Sequence, residues 1–202
     1  FKDGKKIEKN SRIVQIRGNA RIILAIERTI LNFLQHLSSI ATTTHKFKEK
    51  MGSVETKLLN TRKTTIGIRK LEKFATVVGG ACDHRMGLYD QILVKDNHIK
   101  IIGSVEKILE NFRSKKINNY QIECENFVDV KKSIRDGAKY ILLDNMRPSE
   151  IKKCIKLKKK GIKFEITGGI TLKNISIYSK LGADYISTSK ITNSANSVDI
   201  GL

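Results

Sequence analysis

The stretch NYQIECENFVDVKKSIRDGAKYILLDN, residues 119–145, decides the fold. It opens on the apolar run NYQIE (119–123), continues through NFVDVKKSIRDG (126–137), which reads as a helix, and closes on a second run, KYILL (139–143). Strand, helix ending at Gly137 and new strand make one βα unit, in which the glycine supplies the helix stop. A carboxylate ends each apolar run: Glu123 the first, Asp144 the second.

The same pattern extends in both directions. Lys95 follows QILV, Thr167 follows KFEI and Ser187 follows DYI, so from Lys95 onward the markers stand 28, 21, 23 and 20 residues apart. A strand with its returning helix uses about 20–30 residues, so this is the rhythm of a βα array. Arg62 and Lys63 follow KLLNT and belong to the same series, and helices that stop at Gly161 and Gly182 repeat the Gly137 turn. Pro148 sits at a helix start, where its missing N–H costs least. The fold class is α/β, a βα barrel. A full eight-stranded barrel takes about 250 residues, so a chain of 202 holds a short or incomplete one. Phe1 opens the chain as if in mid-domain, and the expectation is an N-terminally incomplete protein.

Upstream of the array, Ile13, Val14 and Ile16 suggest a short strand ended by Gly18. Residues 21–36 place Ile22, Ile23, Ile26, Ile30, Phe33 and Leu34 on one broad apolar helical face. A second helix is expected from Ser38 or Ser39, either of which is able to cap it. Strand 54–60, helix 71–80 and helix 104–116 with Ser104 as its cap complete the reading.

The net charge is +19. Nucleic-acid binding is one reading of that excess, but there is no Trp, no aromatic-rich stripe and no nucleic-acid module to accompany it. Heavy use of Lys, Ile and Asn, and solvated faces such as KKCIKLKKKG (152–161), assign most of the charge to residue usage. The expectation is therefore no nucleic-acid partner. Cys82, Cys124 and Cys154 have no CxxC spacing and are odd in number, which points to a reducing, cytoplasmic setting. No apolar run approaches the ~18 residues of a membrane span, so no membrane partner is expected.

Side chains at the carboxyl ends of barrel strands share one mouth. The register thus gathers Arg62, Lys63 and Lys95, the carboxylates Glu123 and Asp144, and the turn Thr167-Gly168-Gly169 around a single pocket. That composition suits an anionic substrate. Backbone N–H groups at a Gly turn entering a helix bind phosphate. The competing reading of Glu123 and Asp144 is two strand-end acids that cap the following helices.

Several linked strings carry a more specific message: ERTILNFLQHLSSIAT (27–42), NTRKTTIGIRKLEKFATVVGG (60–80), DHRMGLYDQILVKDNHI (83–99), IECE (122–125), ILLDNM (141–146), ITGGI (166–170) and GADYIS (182–187). In this order they resemble the quinolinate phosphoribosyltransferase family. The resemblance implies transfer of phosphoribose from phosphoribosyl pyrophosphate to quinolinate with decarboxylation, giving nicotinate mononucleotide, pyrophosphate and CO₂. It also implies an incomplete TIM-like barrel (39–190), the remainder of a smaller α/β N-terminal domain with a connecting helix (1–38), and a C-terminal segment (191–202) packing back on the small domain. A homodimer with shared active sites is implied as well.

By the same resemblance, Arg62, Arg85, His84 and Lys95 contact quinolinate, and Arg28 reaches in from the partner subunit. Quinolinate carries two adjacent carboxylates, which planar guanidinium groups hold by paired hydrogen bonds. Lys63 lies between the two substrates, and Thr61 adds hydroxyl and backbone contacts in the same loop. Glu123 and Asp144 are the expected Mg²⁺ ligands and partners of the ribose hydroxyls; with Lys63 they are the expected catalytic residues. Thr167, Gly168 and Gly169 bind the 5′-phosphate, and Thr188 and Ser189 fall where the family's last phosphate contact lies. Asp96 and Asn97 are expected to orient the loop beside Lys95, and His98 to be structural.

This sequence departs from the family pattern at four positions: Thr167 replaces a usual Ser, Ile66 a usual Pro, Ser189 a Gly and Asn193 a His. A side chain at position 189 is expected to crowd the phosphate. Two rivals stand beside the main reading: a related phosphoribosyltransferase for another acidic ring, and a catalytically impaired remnant.

Overall fold

The computed structural model describes residues 1–196 and 198–201; Ser197 and Leu202, both within the expected C-terminal segment, lie outside the described residues. Six strands form one wholly parallel sheet: β1 (Lys57–Leu59), β2 (Ile92–Val94), β3 (Tyr120–Cys124), β4 (Tyr140–Asp144), β5 (Lys163–Thr167) and β6 (Tyr185–Ser187), ordered β1-β6-β5-β4-β3-β2. The returning helices are α2 (Arg69–Val78), α3 (Asp96–Ile102), α4 (Val105–Ser114), α5 (Phe127–Arg135), α6 (Pro148–Ile155), α7 (Ile175–Tyr178) with a following 3₁₀ turn, and α8 (Lys190–Asn193).

The sheet's alternation explains both its packing and its pocket. Ile122, Ile141, Leu143, Phe164, Ile166 and Ile186 share one face, are wholly buried, and pack with Ile108, Leu109, Val130, Ile151 and Ile175 from the helices. The opposite face carries Gln121, Glu123, Tyr140, Asp144, Glu165, Thr167 and Ser187. Residues on or just beyond all six strands line a single cavity, so the sheet curls around that polar face. The barrel stays incomplete between β1 and β2. There Cys82 bridges Leu59, and the segment after it crosses the gap. These observations bear out an α/β, incomplete βα barrel.

Local signals work as expected at several points. The Ser104 side chain caps α4 by accepting the Lys107 N–H at 3.2 Å, Asn126 caps α5 in the same way, and Pro148 opens α6. Others fail for identifiable reasons. The two helices expected around Ser38 are one continuous helix, α1 (Ala20–Met51), because no Gly or Pro interrupts it and the Ser39 hydroxyl bonds the Asn196 carbonyl instead of capping. The strand expected near residues 13–18 does not form; no strand lies beside it among the described residues to complete a ladder. The helix expected to reach Gly161 stops at Ile155, and a turn at Lys156–Leu157 and another at Lys160–Gly161 lead into β5. Helices α3 and α8 had no expectation.

The C-terminal half of α1 packs on the barrel through Ile40, Thr44, Phe47 and Met51. Gln35 donates to the Ile200 carbonyl at 2.8 Å, which ties the C-terminal residues to the same helix. The N-terminal half of α1 exposes Ile22, Leu24 and Ile26. No helix among the described residues is long and apolar enough to cross a membrane.

Candidate active site

The polar face opens at the carboxyl ends of the strands into a cavity of about 420 Å³, within the size range of small-molecule sites. It is lined by Thr61, Arg62, Lys63, His84, Arg85, Lys95, Glu123, Asp144, Thr167, Gly168, Gly169, Thr188 and Ser189. The structure thus brings together every site residue expected from the sequence except Arg28. That arginine is exposed on the N-terminal half of α1 and does not line the cavity of its own chain. Asn193, in α8, does not line it either.

Two loops carry most of the cations. The loop after β1 holds Thr61, Arg62 and Lys63, fastened by the Thr192 hydroxyl to the Lys63 carbonyl at 2.8 Å. The crossing segment between Cys82 and β2 holds His84 and Arg85. Arg85 is 8% exposed, and one Nη donates to the Gln91 carbonyl at 2.9 Å. Burial, and next the neighbouring Arg62 charge, hold its pKa below the ordinary guanidinium value, while Glu165 and Glu123 pull it up. It remains a cation, since guanidinium does not lose its proton in proteins. Two guanidiniums this close lower their mutual energy by sharing an anion, which suits an anionic ligand between them.

His84 lines the cavity, and its ring also has partners within the protein. Its Nδ1 accepts the Arg85 N–H at 2.7 Å, so that nitrogen carries no proton, and Nε2–H donates to Glu165 at 3.1 Å. Both ring nitrogens are engaged inside the protein, and the ring fixes the Arg85 backbone.

Glu165 itself was not anticipated. It is 1% exposed and also accepts from Gln121 at 2.9 Å and the Tyr140 hydroxyl at 3.0 Å. Burial opposes its charge, but hydrogen bonds from His84, Ser187 and Gln121 prevail and hold its pKa below the usual value. Burial and then the Glu165 charge push the Tyr140 hydroxyl up, so it stays a donor. The signal was present: Glu165 lies two residues before Thr167 on a strand, hence on the same face. Asn60, Asn145, Thr171 and Lys190 also line the cavity without having been anticipated.

The carboxylates differ from one another. Both Glu123 oxygens accept from Lys95 Nζ, at 3.0 and 2.8 Å. Asp144, on the adjacent strand, accepts no hydrogen bond among the described residues. The Lys95 backbone N–H donates to His98 Nδ1 at 2.9 Å, at the start of α3, in keeping with a structural role for His98.

On the far side of the cavity, Gly168 and Gly169 have φ of +84° and +61°. A Cβ on Gly168 would lie 2.7 Å from the Asn145 backbone nitrogen and 2.2 Å from its side-chain oxygen. Only glycine fits there, and the turn's backbone faces the pocket. Ser189 has φ −80° in ordinary helical space, so its backbone does not require the family's glycine. The Thr188 hydroxyl donates to the Ile170 carbonyl and accepts the Lys190 N–H, joining the β6 end to the Gly turn.

Comparison with known proteins agrees with this arrangement. Residues 40–202 match the family model for the quinolinate phosphoribosyl transferase C-terminal domain, and residues 1–38 that for its N-terminal domain. The chain is 38% identical to the probable nicotinate-nucleotide pyrophosphorylase [carboxylating] of Bacillus subtilis, covering 100% of this chain and 70% of that protein. It is 32% identical to the nicotinate-nucleotide pyrophosphorylase [carboxylating] of Mycobacterium leprae, covering 99% and 72%. The crystal structure of NadC from Streptococcus pyogenes superposes with a TM-score of 0.92 at 38% identity, over 98% of this chain and 70% of that one. With both family domains matched along its length, the chain belongs to the quinolinate phosphoribosyl transferase family.

Proposed function

We propose that this chain is a nicotinate-nucleotide pyrophosphorylase (carboxylating), a pentosyltransferase of NAD biosynthesis. It joins quinolinate to phosphoribosyl pyrophosphate. The ring nitrogen forms a bond to the ribose C1 as pyrophosphate leaves. The carboxylate beside the nitrogen then departs as CO₂, and a proton takes its place, giving nicotinate mononucleotide. The observation that carries this reading is one pocket with Arg62, Arg85 and Lys63 on one wall, Asp144 and Glu123 on the next, and the Gly168-Gly169 turn opposite.

Each wall has a distinct task. Arg62 and Arg85 take the two adjacent carboxylates, with Arg85 aimed by His84 from behind. Lys63 stands where ring and pyrophosphate meet. The Gly turn with Thr167, Thr188 and Ser189 takes the 5′-phosphate. Asp144 faces the ribose, where leaving-group departure builds positive charge that a carboxylate stabilises. Mg²⁺ fits this donor set, because it is held by one or two carboxylates plus substrate phosphates rather than by a protein cage. Asp144 is the better placed ligand, since Lys95 occupies both Glu123 oxygens. The bound ion would neutralise pyrophosphate charge. Lys95 would steer Glu123 until substrate binds.

We place the reaction in the cytoplasm, in keeping with three free cysteines, and in a homodimer. Leu71, Phe74 and Val77 on α2, and Ile22, Leu24 and Ile26 on α1, are exposed apolar side chains suited to a second copy. Arg28, outside its own pocket, would then complete the partner's.

The test is formation of nicotinate mononucleotide from quinolinate, phosphoribosyl pyrophosphate and Mg²⁺, with nicotinate as control substrate. Product from quinolinate alone is expected; product from nicotinate alone would contradict the reading.

A further inference from the structure

Helix α2 is packed inside out. Its apolar side chains Leu71, Phe74 and Val77 are 42%, 55% and 45% exposed, whereas Glu72, Lys73 and Thr76 are buried at 1%, 1% and 0%. With half-buried Arg69, these polar residues recur at three- and four-residue spacing and form a single stripe. A helix of this kind ordinarily buries its apolar stripe. A polar one is tolerated inside only when every group finds a partner.

Glu72 meets His36 of α1 at 2.7 Å, but the partners of Arg69 and Lys73 all belong to the two cation-bearing loops. Arg69 donates from Nε to the Thr64 hydroxyl at 3.0 Å and from Nη2 to the Arg62 carbonyl at 3.4 Å, both in the first loop. Its Nη1 donates to the Met86 carbonyl at 3.2 Å, in the second. Lys73 Nζ donates to Asn60 Oδ1 at 2.7 Å, at the root of the first loop, and to the His84 carbonyl at 2.6 Å, in the second. The Asp83 carboxylate, at 2.9 Å, balances its charge. Each of these two cations therefore spans both loops, and neither lines the cavity.

We infer that Arg69 and Lys73 are positioning residues that set the separation of Arg62 and Arg85, and with it the recognition of a ring bearing two adjacent carboxylates. The inference rests on the reading of the pocket as a quinolinate site. Arg62 and Arg85 repel one another, so without a ligand the loops that carry them tend to part. A guanidinium has a fixed fork of donors, and an ammonium whose three protons face four acceptors, the Arg85 carbonyl at 3.3 Å among them, has no freedom left; both suit a spacer. A monocarboxylate needs one arginine and is indifferent to that spacing. A dicarboxylate needs both.

The experiment compares Lys73→Met and Arg69→Met with the unaltered chain. It measures quinolinate affinity by titration calorimetry without the second substrate, the KM for phosphoribosyl pyrophosphate at saturating quinolinate, and the melting temperature. Quinolinate affinity is expected to fall about tenfold or more in each variant while that KM stays within about twofold, the scale of loss seen when supporting residues are removed. Unchanged quinolinate affinity in a folded variant, or an equal loss for both substrates, would overturn the inference. If Lys73→Met does not fold, the less buried Arg69→Met decides alone. Failure of the unaltered chain to bind quinolinate would instead overturn the substrate reading, and this inference with it.

Discussion

At the scale of single residues, the site depends on carboxylates held by the donors around them. Glu165 stays ionised inside the barrel because His84, Gln121 and Tyr140 all donate to it. Asp83 is likewise held low: burial opposes its charge, but Lys73 and Asn60 bond the carboxylate. Both folded-state values lie below the ordinary 4.5 and 3.8. A depressed carboxylate contributes stability that is fully present above its unfolded pKa and is lost as pH falls through the folded one. The melting temperature is therefore expected to hold level from about pH 7 to pH 5 as far as these groups are concerned, and to decline below about pH 4. Glu165→Gln should make that acid decline shallower. It should also weaken quinolinate binding, because a glutamine can present its N–H₂ where Nε2–H of His84 needs an acceptor. An acid limb unchanged by Glu165→Gln, followed by thermal melts across pH, would remove Glu165 from this account.

At the scale of elements, the βα rhythm was legible because parallel strands must end on one side and their last side chains share a mouth. Lys95, Glu123, Asp144 and Thr167 were placed by that rule alone. The Arg85 and His84 positions were not, since they lie on an irregular crossing segment that no periodicity marks; only the family strings located them. Helix α2 was legible as a helix but not as an inverted one. Its composition fits either orientation, and the choice is made by loops distant in the fold. The break expected in α1 failed because a Ser pair signals a cap only where the chain also turns.

The Gly turn allows an element-level prediction. Gly168 combines positive φ with close approach to the Asn145 backbone. Gly168→Ala is expected to cost about 1–3 kcal/mol. That lowers the melting temperature by about 2–4 °C for each kcal/mol in a chain of this size. It should also raise the KM for phosphoribosyl pyrophosphate more than that for quinolinate. A melting curve and KM pair matching the unaltered chain would show that the turn tolerates a side chain.

At the scale of the whole molecule, the incomplete barrel supplies one mouth, and α1 extends beyond it with an apolar, arginine-bearing end. If two copies complete each other's pockets, the defects of Arg28→Ala and Arg85→Ala lie in different protomers' contributions. Mixing the two inactive variants should then regenerate one intact site in each mixed dimer, restoring up to about a quarter of full activity if copies assort randomly. Activity that stays at background after exchange of subunits has been demonstrated would place Arg28 outside the site.

The most direct measurement follows the label from quinolinate carrying ¹³C in the carboxylate next to the ring nitrogen. Released CO₂ and pyrophosphate are counted against nicotinate mononucleotide formed. Equal amounts of all three are expected, dependent on phosphoribosyl pyrophosphate, with Asp144→Asn slowing all three together by about a hundredfold or more in a folded protein. Pyrophosphate release without labelled CO₂ would mean hydrolysis of phosphoribosyl pyrophosphate or transfer without decarboxylation and would contradict the proposed reaction, and a full rate in Asp144→Asn would contradict the assignment of the pocket.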